Sequence, residues 1–224
     1  MPTAEGPFAK DIFGEASKEC LLSVKNFPIE MTDERLPKSF ALGMATSSRG
    51  ACHMRSRPSL DVLGLPEEVL RRLYGGPVSS HFSSYEGKGR MIWWHELLNA
   101  VCDSLGFCRF LTVFSSPHAP QYKQFVQLIQ LATGLTFSAK ELRTAGERIS
   151  TLEKMMLVED GISRKDDTLP RRYFSEPVPE GPAQGEVILE NEFSKMLDEY
   201  YQLHRWHKNG VPQSKTLKRL GLDE

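Results

Sequence analysis

At 224 residues the chain is long enough to bury one good core or two small ones without a disulfide or a structural metal. Hydrophobic residues at 40% and charged residues at 25% exclude the signature of disorder. With 28 basic against 29 acidic side chains and a net charge of -1, no field draws in a phosphate backbone or an anionic bilayer, so neither nucleic acid nor membrane is an expected partner.

The first residues, Met1-Pro2-Thr3-Ala4-Glu5-Gly6, have neither the basic nor the apolar region of a leader, and no later stretch is long enough to span a bilayer, so the expected location is the cytoplasm. Cys20, Cys52, Cys102 and Cys108 form no paired framework, which favours free thiols or a metal-centre role over disulfides.

Leu21 to Lys25 reads as a short strand. Phe27-Pro28 and Leu36-Pro37 fix the backbone and disfavour a helical state just before them, so residues 26–60 are expected to be mostly loop. Inside that loop, Gly43 to His53 is small and polar with glycines at 43 and 50, a segment able to bring its backbone close to a ligand. Pro66, with Glu67 and Glu68 in a first turn and Arg71 and Arg72 in a last, predicts a helix stopped by Gly75-Gly76-Pro77. Trp94, Leu97, Leu98, Val101 and Leu105 recur at helical spacing, and Gly106 stands where a left-handed cap belongs. Tyr122, Phe125, Val126 and Ile129 form a second stripe closed at Gly134. Ser138 with Glu141 then makes a capping box opening a long helix, with Leu142, Ala145, Ile149, Leu152 and Met156 turned inward. The polar, proline-punctuated run from Gly161 to Gly185 is expected to be an ordered surface strap. Phe193, Met196, Leu197, Tyr200 and Tyr201 mark a last substantial helix, followed by an Asn209-Gly210 turn and a short helix from Lys215 capped by Ser214. These elements predict a mainly α fold: a compact helical domain over 61–224, and an irregular segment over 1–60 belonging to another lobe.

Asp103-Ser104-Leu105-Gly106-Phe107-Cys108 puts a carboxylate, a glycine able to turn the backbone and a thiol at one helix end. A carboxylate there can accept hydrogen bonds from an amidine-like ring of the kind a pterin presents, and a thiolate past the turn can bind iron. Equally, Asp103 can be a solvated helix acid and Cys108 a buried thiol. Arg49-Gly50-Ala51-Cys52-His53 places a cation and an imidazole within five positions, and since histidine is the side chain whose unperturbed pKa lies nearest neutral, His53 is suited to moving protons. Most loop histidines have no such duty. The mixed-sign run Arg164-Lys165-Asp166-Asp167 reads as a tie between helices in preference to a ligand site. His81, His95, His118, His204 and His207 lack zinc-site spacing. No Gly-x-Gly-x-x-Gly after a strand, phosphate-loop lysine or Gly-x-Ser-x-Gly elbow occurs, which removes nucleotide-dependent and serine-hydrolase chemistry.

Taken together and in order, these segments resemble the C-terminal portion of the tungsten-containing aldehyde:ferredoxin oxidoreductase family. Ala45 to His53 is similar to its Ala-Thr-Ser-x-Arg-Gly-Ala-x-His loop, and Asp103 to Cys108 to its Asp-x-x-Gly-Leu-Cys motif, with Phe107 in the leucine place. Gly146-Glu147-Arg148, Ser163 to Pro170, Leu197 to Tyr201 and Leu217 to Leu222 follow the family's closing pattern. His53-Met54-Arg55-Ser56-Arg57-Pro58 brings the chain nearest the branch that includes tungsten subunits of benzoyl-coenzyme A reductases.

The resemblance implies a tungsten bis-pterin beside a 4Fe-4S cluster, oxidation of aldehydes to carboxylic acids, and ferredoxin or another electron-transfer subunit as acceptor. Asp103, with Gly106 and Arg49, would contribute to cofactor binding, Cys108 would supply one cluster thiolate, and His53 would be the catalytic proton donor or acceptor. The family's N-terminal cofactor domain, its Cys-x-x-Cys-x-x-x-Cys run and an earlier Asp-x-x-Gly motif do not occur in these residues. One cysteine cannot hold a cubane, so the chain alone is expected to bind neither cofactor and to need an N-terminal partner chain or domain. The competing expectation is a catalytically inactive helical remnant serving as a binding module or scaffold.

Overall fold

A computed structural model describes residues 11, 12, 14, 21–29 and 33–223; Cys20 and the segment Met1–Gly6 lie outside the described residues. Eight α-helices, two short 3₁₀ turns and one two-stranded hairpin are the named elements among them, a mainly α fold as the sequence predicts. β1 (Ser23–Val24) and β2 (Phe27–Pro28) pair antiparallel, Val24 opposite Phe27. Lys25 and Asn26 both take positive φ in the two-residue turn between them, the geometry that matches strand twist.

α1 (Lys38–Thr46) stands inside the region expected to be loop, so Gly43 lies within a helix and the open segment begins only at Ser47. Two physical reasons explain the difference. Pro37 precedes the first helical residue, where a missing N–H costs nothing, and all nine residues are buried, so no polar face marks the helical period. The polar members are satisfied inside: Lys38 Nζ lies 2.7 Å from Glu186 Oε2 and 3.0 Å from the carbonyl of Arg35, and Ser39 Oγ donates to Asp61 at 2.8 Å.

α2 (Glu67–Tyr74) ends at Gly75 in the left-handed conformation. α3 (Lys88–Leu105) is the central helix: Ile92 faces one core, while Met91, Trp94, Leu98 and Val101 face a second. α4 (Tyr122–Thr133) packs Phe125 into the second core. α5 (Ala139–Glu159) opens with the capping box foreseen at Ser138 and Glu141, both reciprocal bonds formed. Its inner face, however, is Leu142, Gly146, Ser150, Thr151 and Lys154, whereas Ala145, Leu152 and Met156 are exposed. The helix buries small and polar residues because it lies close against its neighbour: a Cβ on Gly146 would sit 2.4 Å from the carbonyl oxygen of Leu97.

The run 161–185 is ordered, and its middle dips inward, burying Asp167, Leu169 and Tyr173 beside the one-turn α6 (Arg172–Ser175). α7 (Glu190–His204) carries the expected stripe, and α8 (Ser214–Leu220) follows the Gly210 turn, with Gln213 one residue ahead of Ser214 at its cap. Val24, Ala41, Leu42 and Met44 share one core with Tyr200 and Tyr201 of α7, so the hairpin and α1 pack directly onto the helical body. Mixed-sign residues make the ties: Asp167 takes Lys154 Nζ at 2.7 Å, Lys25 Nζ at 2.8 Å and the Tyr201 hydroxyl, and Arg164 reaches Asp198 Oδ1 at 2.6 Å. No described helix is long and apolar enough to cross a membrane.

Candidate functional site

α3 stops in a double cap. Gly106 N–H bonds the carbonyl of Asp103 at 3.2 Å and Phe107 N–H that of Cys102 at 2.9 Å, possible because Gly106 adopts φ 64°. Phe107 then seats its ring edge-on to Phe125, centroids 5.0 Å apart, and anchors the turn to the second core. The chain that emerges leaves Cys108 exposed, while Cys102, one turn back, is fully buried with its thiol pushed up to about 12 by burial. Of the two thiols here, the one available to a ligand is therefore Cys108.

Asp103, exposed at the last turn, is gripped from both sides. Arg109, next after Cys108, donates through Nε to Oδ1 at 3.1 Å and through Nη2 to Oδ2, and Arg55 donates to Oδ2 at 3.2 Å. Arg55 also bonds Glu153 of α5. Burial opposes its charge, but the neighbouring Glu153, Glu96 and Asp103 outweigh that and hold the guanidinium above its ordinary range. Asn99, one turn before Asp103, fixes the backbone by donating to the Arg55 carbonyl at 3.1 Å, and Glu153 accepts from Ser48 at 2.8 Å. Hence the loop Ser47–Arg57, which contains Arg49 and His53, is tied near both ends to the last turns of α3 and to Glu153 of α5.

The loop's path follows from local constraints. Gly50 has φ 82°, and a Cβ there would lie 2.6 Å from that of Phe27 and 2.9 Å from the Val24 carbonyl, so only glycine fits against the hairpin. Lys25 reaches from the hairpin turn to the carbonyls of Ala45 and Ser47, capping the end of α1 where the loop begins. Arg49 is exposed, its amide donating to Ser47 Oγ at 3.2 Å; His53 is partly buried, its carbonyl accepting from Arg57 N–H at 3.2 Å.

The loop that carries Arg49 and His53 is thus linked to the Asp103 turn through Arg55, two residues after His53. Gly106 shapes the turn and exposes no side chain of its own. Arg55, Asn99 and Glu153 were not among the candidates. Asn99 and Asp103 carry a legible signal, being four apart on one helix face, but Glu153 lies 98 residues from Arg55 and nothing in the pattern links them. Exposed apolar side chains flank this junction: Leu105 in the last turn of α3, Phe110 and Leu111 after it, and Met54 in the loop. Among the described residues no group of three or more His, Cys, Asp or Glu side chains is placed to hold a metal ion.

Residues 4–222 match the family described as aldehyde ferredoxin oxidoreductase, domains 2 and 3. Tungsten-containing aldehyde ferredoxin oxidoreductases of Pyrococcus horikoshii and Pyrococcus abyssi are 33% and 34% identical over 208 residues, which is 92% of this chain and 31% of each relative. That of Thermococcus kodakarensis is 32% identical over 225 residues, 99% of this chain and 34% of the relative. The chain therefore spans about a third of the length of the curated relatives it matches. Among solved structures, the active site complex BamBC of benzoyl coenzyme A reductase in complex with 1,5 dienoyl-CoA superposes with a TM-score of 0.66 and 19% identity, covering 96% of this chain and 35% of that one. At that identity the likeness is one of fold.

Proposed function

Because the chain belongs to the aldehyde ferredoxin oxidoreductase family, we propose that it is the C-terminal part of a tungsten-pterin, iron-sulfur oxidoreductase of the cytoplasm, supplying one wall of an active site that an N-terminal chain or domain completes. The reaction is RCHO + H2O to RCOOH with two protons and two electrons released, the electrons passing to ferredoxin or another electron-transfer subunit. Residues 1–60 would close the family's middle domain and 61–224 form its C-terminal one, the two sharing a core through α1.

The observation that carries this reading is the junction at the tip of α3, where Arg55 links the Asp103–Cys108 turn to the loop that carries Arg49 and His53, flanked by exposed apolar side chains. The residues suit the family's cofactors. An exposed thiol after a glycine turn can serve as one cluster ligand, and a carboxylate at the same turn can accept ring N–H bonds in exchange for one of its two arginines. Arg49, solvent-facing on the loop, would contribute cationic contacts to the cofactor, and Gly106 leaves the turn without a side chain that would obstruct it. When bound, the metal and its dithiolenes supply the two-electron chemistry. This chain's residues do the rest: Asp103 orients, His53 takes or returns a proton through its imidazole, and the flanking apolar side chains exclude water once a partner covers them.

The test is purification of the protein at native abundance from its own source. Tungsten and iron co-eluting with a companion sequence that contains Cys-x-x-Cys-x-x-x-Cys is the expected result. A colourless, metal-free species without such a companion, associating with itself, would overturn the reading in favour of a scaffold remnant.

A further inference from the structure

The chain as a whole is close to neutral, yet its cations are unevenly spread. Between the end of α7 and α8 lies an open cleft of about 790 Å³, within the size range of small-molecule sites. Helical spacing builds both walls: Asp198 and Arg205 stand two turns apart on α7 and its cap, and Lys215 and Arg219 stand one turn apart on α8. Thr216 joins the walls by donating through Oγ1 to the Arg205 carbonyl at 2.9 Å, and Lys208 closes the rim from the connecting turn. The charges here do not cancel. Asp198 is the one acid among the described residues lining the cleft, and Arg164 already holds it at 2.6 Å, while Arg219 is neutralised by Glu147 of α5. Arg205, Lys208 and Lys215 are exposed and form no ion pair among the described residues, so three cations face one concavity without a counter-charge. Arg205 carries a second mark. It ends α7 in the left-handed conformation, φ 59°, a position that glycine fills at Gly75, Gly106, Gly134 and Gly221. A side chain there is strained where glycine is not, and strain of this kind gathers where a side chain is put to use.

We propose that this cleft is a binding site for a diphosphate group, free or as an organic ester, held by Arg205, Lys208 and Lys215. A diphosphate matches three cations in charge, and its several oxygens can take a guanidinium and two ammonium groups at once; a monocarboxylate would leave two of the three unmatched. The concave shape favours a compact anion over an extended nucleic-acid strand, which follows a basic stripe. None of these residues belongs to the junction at α3, so the site goes beyond the oxidoreductase reading and does not depend on it.

The experiment uses the full chain at physiological ionic strength, where non-specific attraction between exposed charges is largely screened. Sodium pyrophosphate, ADP, adenosine and sodium sulfate are titrated in turn, with binding read by calorimetry and by amide shifts over 198–219. Saturable binding of pyrophosphate and ADP, with dissociation constants below about 1 mM, and none of adenosine or sulfate is expected; tighter binding of ADP than of pyrophosphate would mark the ester as the fitting form, and the reverse the free anion. Arg205→Gly removes one cation and the strain together, so it should weaken pyrophosphate about tenfold without lowering the thermal midpoint. Lys215→Gln, at an exposed position, should weaken it by a similar factor with the midpoint unchanged. If Arg205 serves only to meet the carbonyl end of α7, Arg205→Gly will lower the midpoint and leave binding as it was. That result overturns the proposal, as do a lack of saturable binding up to about 10 mM pyrophosphate, far beyond the affinity expected for three charge-assisted contacts, an equal response to sulfate, or a single-stranded oligonucleotide that binds more tightly than ADP.

Discussion

Glu96 reaches inward from α3, accepts the Tyr200 hydroxyl at 2.6 Å and has His204 Nε2 3.9 Å from its other oxygen. Burial raises its pKa from 4.5 to about 7, outweighing the opposing pull of the Tyr200 bond, and burial lowers that of His204 to about 3, so neither is charged near pH 6. An acid whose folded pKa is raised holds its proton in the fold after the unfolded chain has lost it. Its stabilising contribution is therefore complete below pH 4.5 and is lost as pH rises to and through 7, by about 3 kcal/mol at ~1.4 kcal/mol per unit. Glu96→Gln keeps an acceptor for Tyr200 and should flatten the stability profile by that amount between pH 4.5 and 8 in urea unfolding; an unchanged slope would assign the pH dependence elsewhere. At the junction, Arg55→Ala removes bonds to Glu153 and to the more exposed Asp103. It should cost about 1–2 kcal/mol after solvent screening and speed hydrogen exchange across 47–57, and Arg55→Lys should not restore protection because one ammonium cannot span both carboxylates. At this scale the sequence was legible where the chemistry was local, as at Gly106, whose left-handed cap ends α3. It was silent where a side chain depends on a distant partner, as Arg55 does on Glu153.

Helices announced by punctuation were read well. Gly75, Gly106 and Gly134 each close a helix in the left-handed conformation, and Ser138 opens α5 with the foreseen box. Ser138→Ala should lower stability by about 1 kcal/mol in thermal or urea unfolding, and a loss below a few tenths would mean the box is redundant. Where one-sided periodicity fails, so did the reading. α1 is buried all round, and α5 turns Gly146, Ser150 and Lys154 inward while leaving Leu152 and Met156 outside. Gly146→Ala tests the cause directly. Its Cβ would collide with the backbone of Leu97, so a loss of about 2–3 kcal/mol is expected despite alanine's higher helix propensity, and a gain would show that α3 and α5 can separate freely.

For the whole molecule, the fold class and family were legible because ordered motifs spread along the chain survive as a pattern even when single residues are ambiguous. The packing of the hairpin and α1 onto the helical body was not, because its contacts, such as Lys25 with Asp167, join residues far apart in sequence. Exposed Leu105, Phe110 and Leu111 edge the junction that the proposed function assigns to a cofactor and a covering partner. The central claim is that the exposed thiol at the tip of α3 faces that cofactor. Its most direct test is the paramagnetic signal and iron content of the assembled protein carrying Cys108→Ser or Cys102→Ser. Loss or conversion of the four-iron signal with Cys108→Ser and its survival with Cys102→Ser is predicted; an intact signal with Cys108→Ser would contradict the account.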